Sequence, residues 1–61
     1  MSNTLTGTHE IDHQDGSRTF VAEAVDKYGD KVVKTTTLYD SDTDSTRADK
    51  IEDTIQSALN Y

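Results

Sequence analysis

Carboxylate side chains crowd the last third of the chain and are the groups best able to do chemistry there. Three alternate in one short segment and three recur at helical spacing; they are Asp40, Asp42, Asp44, Asp49, Glu52 and Asp53. On a helix rising 1.5 Å per residue they would form an acidic ridge about 20 Å long. A rigid row of carboxylates can imitate phosphates and occupy a nucleic-acid-binding groove. The alternative is a solvated helix face whose acids suit the helix dipole.

Metal binding is the next chemistry to consider. The spacing Asp40-x-Asp42-x-Asp44 matches the opening of a calcium loop, but positions six and twelve hold Ser45 and Ile51 instead of Gly and Glu. The two histidines, His9 and His13, would lie about 13 Å apart along a strand, too far for one ion. We expect His9 at the edge of the core, and we expect neither a metal site nor a cofactor.

Catalysis is not expected. No spacing of serines, acids and histidines indicates a triad, and no glycine loop could cradle phosphate. A chain of 61 residues also has little volume for an enclosed pocket. The sequence therefore predicts a binding protein and not an enzyme.

The charge balance bears on which partners are expected. Twelve acidic and six basic residues give a net charge of −6, which disfavours contact with nucleic-acid phosphates or anionic membranes and favours a basic protein. A weaker alternative is a nucleic-acid contact through dispersed cations at one end of the sheet: Arg18, Lys27, Lys31 and Lys34. With no apolar span or leader pattern, we expect a cytoplasmic location, in the host cell if the chain is viral.

Turn and cap signals divide the chain into four elements of one domain, residues 1–61. Asp15-Gly16 and the loop around Gly29 indicate two hairpins between strands at about 5–13, 18–26 and 31–39. A helix at about 46–60 follows, with Thr46 as its N-cap. The prediction is an α+β fold, a three-stranded antiparallel meander with one C-terminal helix packed on one face (β-β-β-α). Because only 31% of residues are apolar, a disordered chain is the alternative.

The turns also predict a register. A two-residue Asp15-Gly16 turn places Ile11 opposite Phe20, and with it His9 opposite Ala22 and Gly7 opposite Ala24. In the second hairpin, Asp26 opposite Lys31 and Glu23 opposite Lys34 would give two complementary charge pairs. Val25 then faces Val32.

This register gives the sheet two distinct faces. The helix-facing side would carry Leu5, Ile11, Phe20, Ala22, Ala24, Val33, Thr35, Thr37 and Tyr39. It would meet a helix stripe formed by Ala48, Ile51, Ile55, Ala58 and Leu59. The uncovered side would carry four sizeable aliphatics: Val21, Val25, Val32 and Leu38. An uncovered face is usually more polar, so these four predict a homodimer face unless they are present only for strand propensity.

The functional prediction combines these surfaces. We expect a small acidic protein-binding module that docks on a basic, nucleic-acid-binding surface of its target, with the six carboxylates and the loop tyrosine Tyr28 as contacts. Small phage proteins that inhibit host nucleases use such mimicry, which suggests a viral or mobile-element inhibitor by analogy of type alone. The alternative function is a structural homodimer or assembly subunit joined through the uncovered sheet face.

Overall fold

Four elements make up the computed structural model, which describes residues 2–61. They are β1 (Thr4–Asp12), β2 (Arg18–Val25), β3 (Lys31–Leu38) and α1 (Asp44–Leu59). The strands form one antiparallel sheet in the order β1-β2-β3, and α1 follows them. The predicted β-β-β-α fold is confirmed, and each strand boundary lies within one residue of the expected one.

The first hairpin has a loop of three residues, not two. His13 and Ser17 close it, with the His13 amide donating to the Ser17 carbonyl at 2.9 Å. The Asp15 carboxylate accepts hydrogen bonds from the Ser17 amide at 3.0 Å and its hydroxyl at 2.6 Å, while Gly16 takes a φ of +90°. A two-residue turn would need positive φ at both central positions, and Asp15 does not supply it. The predicted pairing of Ile11 with Phe20 is therefore wrong: Glu10 faces Phe20, Val21 faces His9, and Glu23 faces Gly7.

The second hairpin is built in the same way. Asp26 pairs with Asp30 through a backbone hydrogen bond of 3.0 Å, and Gly29 takes a φ of +82°. The Asp26 carboxylate accepts from the amides of Tyr28 and Asp30 at 2.8 and 2.9 Å. The strands are again displaced by one residue from the prediction. The expected pairs of Asp26 with Lys31, Val25 with Val32 and Glu23 with Lys34 do not form.

In the observed register, Val25 faces Lys31 and Glu23 faces Val33. Side chains directly opposite each other across a sheet point to the same face. A displacement of one residue in each hairpin therefore reverses β1 and β3 relative to β2.

The result is a different division of side chains between the two faces. Phe20, Ala22 and Ala24 meet the helix as predicted, joined there by Val32 and Leu38. Val33 lies on the other side of the sheet from Phe20, as do Ile11, Thr35 and Thr37, which corrects their predicted placement. The uncovered side, called the open sheet face below, has an apolar set formed by Ile11, Val21, Val25 and Val33.

A β-bulge in β1 explains why Leu5 keeps its predicted side. The pairing shifts by one residue between Leu5 and Gly7, leaving Thr6 as the extra residue. The Thr6 hydroxyl donates to the Glu23 carbonyl at 3.1 Å. The extra residue reverses the alternation of side chains once more, so Leu5 returns to the predicted side and faces Ala24 on the helix side.

The helix lies over β2 and β3 and packs closely because small residues meet at the contact. Ala22, Ala24 and Ala58 are completely buried, and Ile51 and Ile55 pack against them. Thr54 is also buried at this interface. Ala48, which was predicted to belong to the apolar stripe, is exposed.

Both ends of the helix are tied down. Thr43 caps the N-terminus, where its hydroxyl accepts from the Thr46 amide at 3.1 Å, so the helix begins two residues earlier than predicted and Thr46 is not the cap. At the other end, the Asn3 amide donates to the Leu59 carbonyl at 2.7 Å, and its side chain donates to the Ala58 carbonyl at 2.9 Å. These bonds use carbonyl groups that have no partner within the helix.

Enlarging the contact beneath the helix should destabilise the protein. We expect Ala22→Leu to lower the free energy of unfolding by about 3 kcal/mol, because the added methyl groups have no space against α1. Val33→Leu, on the open sheet face where Val33 is 47% exposed, should change it by less than about 0.5 kcal/mol. Urea unfolding followed by circular dichroism measures both, and equal effects would contradict the described packing.

Candidate protein-binding surfaces

Three carboxylates on the outer side of α1 form the acidic helix face, defined here as Asp49, Glu52 and Asp53. All three residues are exposed. Among residues 2–61, no Lys, Arg or His nitrogen lies within 4.0 Å of any of these three carboxylates. They lie on one side of the helix, away from the core, so their charge is directed into solvent.

Side-chain hydrogen bonds continue this face along the last turns of α1. The Gln56 amide donates to the Glu52 carboxylate at 3.4 Å, and the Asn60 amide donates to the Gln56 side-chain oxygen at 3.2 Å. Residues four apart on a helix are neighbours, so these contacts run in a line. The polar surface from Asp49 to Asn60 is about 17 Å long at 1.5 Å per residue.

The cations of the described residues are engaged elsewhere. Four of them form ion pairs, and two lie over aromatic rings. The pairs are Arg18–Glu10 at 3.5 Å, Lys31–Glu23 at 3.3 Å, Arg47–Asp44 at 3.7 Å and Lys50–Asp42 at 2.7 Å. Lys27 lies 5.1 Å from the Tyr28 ring and Lys34 lies 3.9 Å from the Tyr61 ring. The acidic helix face is therefore left without internal compensation.

Asp40, Asp42 and Asp44, at the start of α1 and in the loop before it, do not continue this face. Asp42 has a side chain only 14% exposed and holds the β3–α1 connection together. Its carboxylate accepts hydrogen bonds from the Lys50 ammonium at 2.7 Å and the Tyr39 amide at 2.9 Å. Lys50 also donates to the Thr37 carbonyl at 2.9 Å, which links the helix to the last strand.

Asp40 and Asp44 flank the same connection. Asp44 is exposed and pairs with Arg47, whose guanidinium also donates to the carbonyls of Tyr39 and Asp40 at 3.0 and 3.3 Å. The Asp40 carboxylate lies beside Gly16, so close that a Cβ on that glycine would come 2.5 Å from it. Asp40 therefore packs the helix-side loop against the first hairpin.

Tyr28 lies at the opposite end of the sheet from these aspartates. It is 77% exposed in the β2–β3 loop and borders an open groove of about 250 Å³ together with Asn3 and Tyr61. The structure thus brings Asp49, Glu52 and Asp53 together, places Asp40 and Asp42 in the β3–α1 loop and Asp44 at the first position of α1, and leaves Tyr28 apart from both groups.

The open sheet face differs from the predicted dimer face. Of its four predicted members, Val21 and Val25 lie on it, whereas Val32 and Leu38 lie on the helix side and are buried. Their places are taken by Ile11 and Val33, which are 48% and 47% exposed. The sequence signal that could have placed Ile11 and Val33 on this face is the aspartate in each turn. Asp15 and Asp26 can each accept a hydrogen bond from the amide two residues later, as in an Asx turn, and this favours the loop length that sets the observed register.

The histidines lie on the open sheet face or next to it. His9 faces Val21 across the strands, with its Nδ1 3.9 Å from the Glu23 carboxylate, so its predicted position at the core edge is wrong. The His13 Nε2 lies 2.7 Å from the Thr19 hydroxyl. Within residues 2–61, no three His, Asp or Glu side chains come together as ligands for a metal ion. The same part of the chain has no helix of the length and apolarity needed to cross a membrane.

The Asp42–Lys50 pair should make stability depend on pH. The hydrogen bond from Lys50, with a second from the Tyr39 amide, holds the pKa of Asp42 below its ordinary value of 3.8. Because the folded-state pKa is lowered, this interaction stabilises the protein above about pH 4 and is lost as the pH falls through the folded-state value. We expect Asp42→Asn to lower the melting temperature at pH 5 and to reduce the further fall between about pH 5 and pH 2.5.

Asp53→Asn is the matched control, because it removes one carboxylate that has no cationic partner. It should retain the full wild-type fall in melting temperature over this range. Thermal unfolding followed by circular dichroism gives both values. The assignment would be wrong if Asp42→Asn and Asp53→Asn lost stability in parallel on acidification.

No protein-family model matches this chain, and neither a curated protein nor a solved structure matches it. Its function is therefore inferred from the geometry and charges described above.

Proposed function

We propose that this protein is a binding module that docks on a positively charged surface of another protein through its acidic helix face. The observation that carries the proposal is the distribution of ion pairs. Four of the twelve acidic side chains, Glu10, Glu23, Asp42 and Asp44, have a Lys or Arg nitrogen within 4.0 Å. Of the eight that have none among the described residues, Asp49, Glu52 and Asp53 are the three that share one side of α1. A cationic partner would supply the missing compensation.

The capping and packing of α1 indicate that the acidic helix face is formed before a partner binds. The helix has 16 residues, is capped by Thr43 and packs on the sheet through Ile51, Ile55 and Ala58. The backbone positions from which its exposed carboxylates project are therefore fixed before any partner arrives. Preorganisation of this kind lowers the entropy lost on binding.

The composition of the acidic helix face favours fast association with a partner over high affinity for it. Its neighbours on the exposed side of α1 are polar or small, including Ser45, Ala48, Gln56 and Ser57. Without a large apolar anchor, affinity is modest, and the charges act mainly by accelerating association. Such an encounter is strongly weakened by salt.

The partner that best fits is a protein whose basic groove ordinarily accepts nucleic-acid phosphates. A polar line about 17 Å long, with carboxylates along its first 6 Å or so, can occupy part of such a groove as a mimic of backbone phosphates. An inhibitor encoded by a virus or mobile element would use this chemistry, and the encounter would take place in the cytoplasm. The role proposed is one of binding, without catalysis by this chain.

Neutralising the acidic helix face should weaken binding to a basic probe. We expect the triple variant Asp49→Asn/Glu52→Gln/Asp53→Asn to bind an immobilised arginine-rich peptide about tenfold more weakly than wild type. Three exposed contacts of about 0.5 kcal/mol each account for that factor. Surface plasmon resonance at low salt measures it, and raising the salt should weaken wild-type binding further.

A second triple variant separates a specific face from overall charge. Glu10→Gln/Asp12→Asn/Asp30→Asn also changes the net charge from −6 to −3, but its carboxylates lie outside α1. It should retain most of the wild-type affinity. If both triple variants lost the same affinity, binding would depend on net charge alone and the proposed docking face would be wrong.

A further inference from the structure

We propose that the open sheet face binds a second copy of the same chain, forming a weak, reversible homodimer. This interface lies on the opposite side of the sheet from α1. It does not depend on the acidic helix face, so the two proposals can fail separately.

Charge is the first argument for a second copy as the occupant. The open sheet face carries one acid and one base from the strands, Glu23 and Lys31, and these pair with each other at 3.3 Å. Removing this pair from the totals leaves eleven acids and five bases, so the net charge of −6 belongs to the remaining surface. Two copies of an acidic chain therefore meet with least repulsion through this neutral face.

The side chains of the face supply the second argument. Ile11 and Val33, each about half exposed, lie on opposite edge strands. Val21 lies between them on β2 but is only 7% exposed, so Ile11 and Val33 supply most of the accessible apolar surface of this diagonal across the sheet. Threonines fill much of the area around it: Thr19, Thr35 and Thr37. Two such faces can pack as the sheets of a β-sandwich do, with mean strand directions about 30° apart.

The area of the open sheet face sets the expected affinity of the homodimer. Three strands of eight residues cover about 26 by 14 Å, or roughly 400 Å² per copy. Stable interfaces bury about 800 Å² per partner, so this one belongs with weak, transient associations. We therefore expect a monomer at micromolar concentration and a dimer as the concentration approaches about 1 mM.

Salt distinguishes this contact from the docking proposed for α1. Each copy carries −6, so dimerisation brings like charges together outside the neutral contact. Added salt screens this repulsion and should strengthen the dimer. The same salt should weaken binding of the acidic helix face to a cationic partner, so the two surfaces respond in opposite directions.

The test is sedimentation of the whole chain over a dilution series, at low salt and again at about 0.5 M NaCl. The expected weight-average mass rises from 6.8 kDa towards twice that value, and it rises at lower protein concentration in high salt. A mass of 6.8 kDa throughout, at both salt concentrations, would overturn the proposal. A dimer that weakened in salt would also overturn it.

Matched lysine variants locate the contact. Ile11→Lys places an ammonium group on the open sheet face and should abolish the rise in mass. Thr8→Lys makes the same charge change on the same strand but on the helix side, because Thr8 faces Ala22, and should dimerise at least as well as wild type. Loss of the dimer in both variants, or in neither, would show that another surface mediates association.

A variant on the other edge strand covers the case in which Ile11→Lys fails to fold. Val33→Lys lies on the same face and is expected to behave as Ile11→Lys does, with circular dichroism reporting the fold of each variant. Retention of the dimer by folded Val33→Lys would overturn the assignment of this face.

Discussion

Two turn aspartates decide which way the side chains of β3, and of β1 from Gly7 onwards, point relative to those of β2. Each carboxylate, Asp15 and Asp26, accepts a backbone amide from the residue two positions later and so favours a three-residue loop closed by glycine in the left-handed region. Loop length fixes the register, and the register fixes the face. The burial of Leu38 beneath the helix and the exposure of Val33 on the other side both follow from these hydrogen bonds.

Sequence patterns were sufficient for the elements but not for their alignment. Hydrophobic spacing located the strands and the helix, and it placed Phe20, Ala22 and Ala24 on the covered side of β2. The flanking strands were misassigned because a two-residue first turn, a four-residue second loop and complementary pairs such as Glu23 with Lys34 gave a self-consistent register, off by one residue in each hairpin. In the folded chain, Glu23 pairs with Lys31 at 3.3 Å, although Lys31 lies opposite Val25. Glu23 therefore has a lysine partner in either register, Lys34 in the predicted one and Lys31 in the observed one, so charge pairing cannot select between them.

The candidate binding residues were only partly predictable for a related reason. Periodicity alone grouped Asp49, Glu52 and Asp53 on one side of the helix, and the structure keeps them together. The role of Asp42 depends on the Lys50 ammonium, which donates both to this carboxylate and to the Thr37 carbonyl. That contact joins the loop, the helix and the last strand, so the spacing of residues in the sequence does not predict it. It also turns an apparently continuous acidic segment into two parts, one holding the fold and one facing solvent.

The exposed position of β1 at the edge of the sheet makes this strand less stable than the rest of the fold. All nine residues of β1 are exposed, because the helix lies over the other two strands and leaves this edge uncovered. Its attachment therefore depends on hydrogen bonds to β2 and on the link from Asn3 to the end of α1, with little buried apolar surface. Segments held in this way open at lower free energy than the core. The chain thus consists of a compact β2–β3–α1 unit and a peripheral first strand, whose amide hydrogens we expect to be the earliest in the sheet to exchange with solvent.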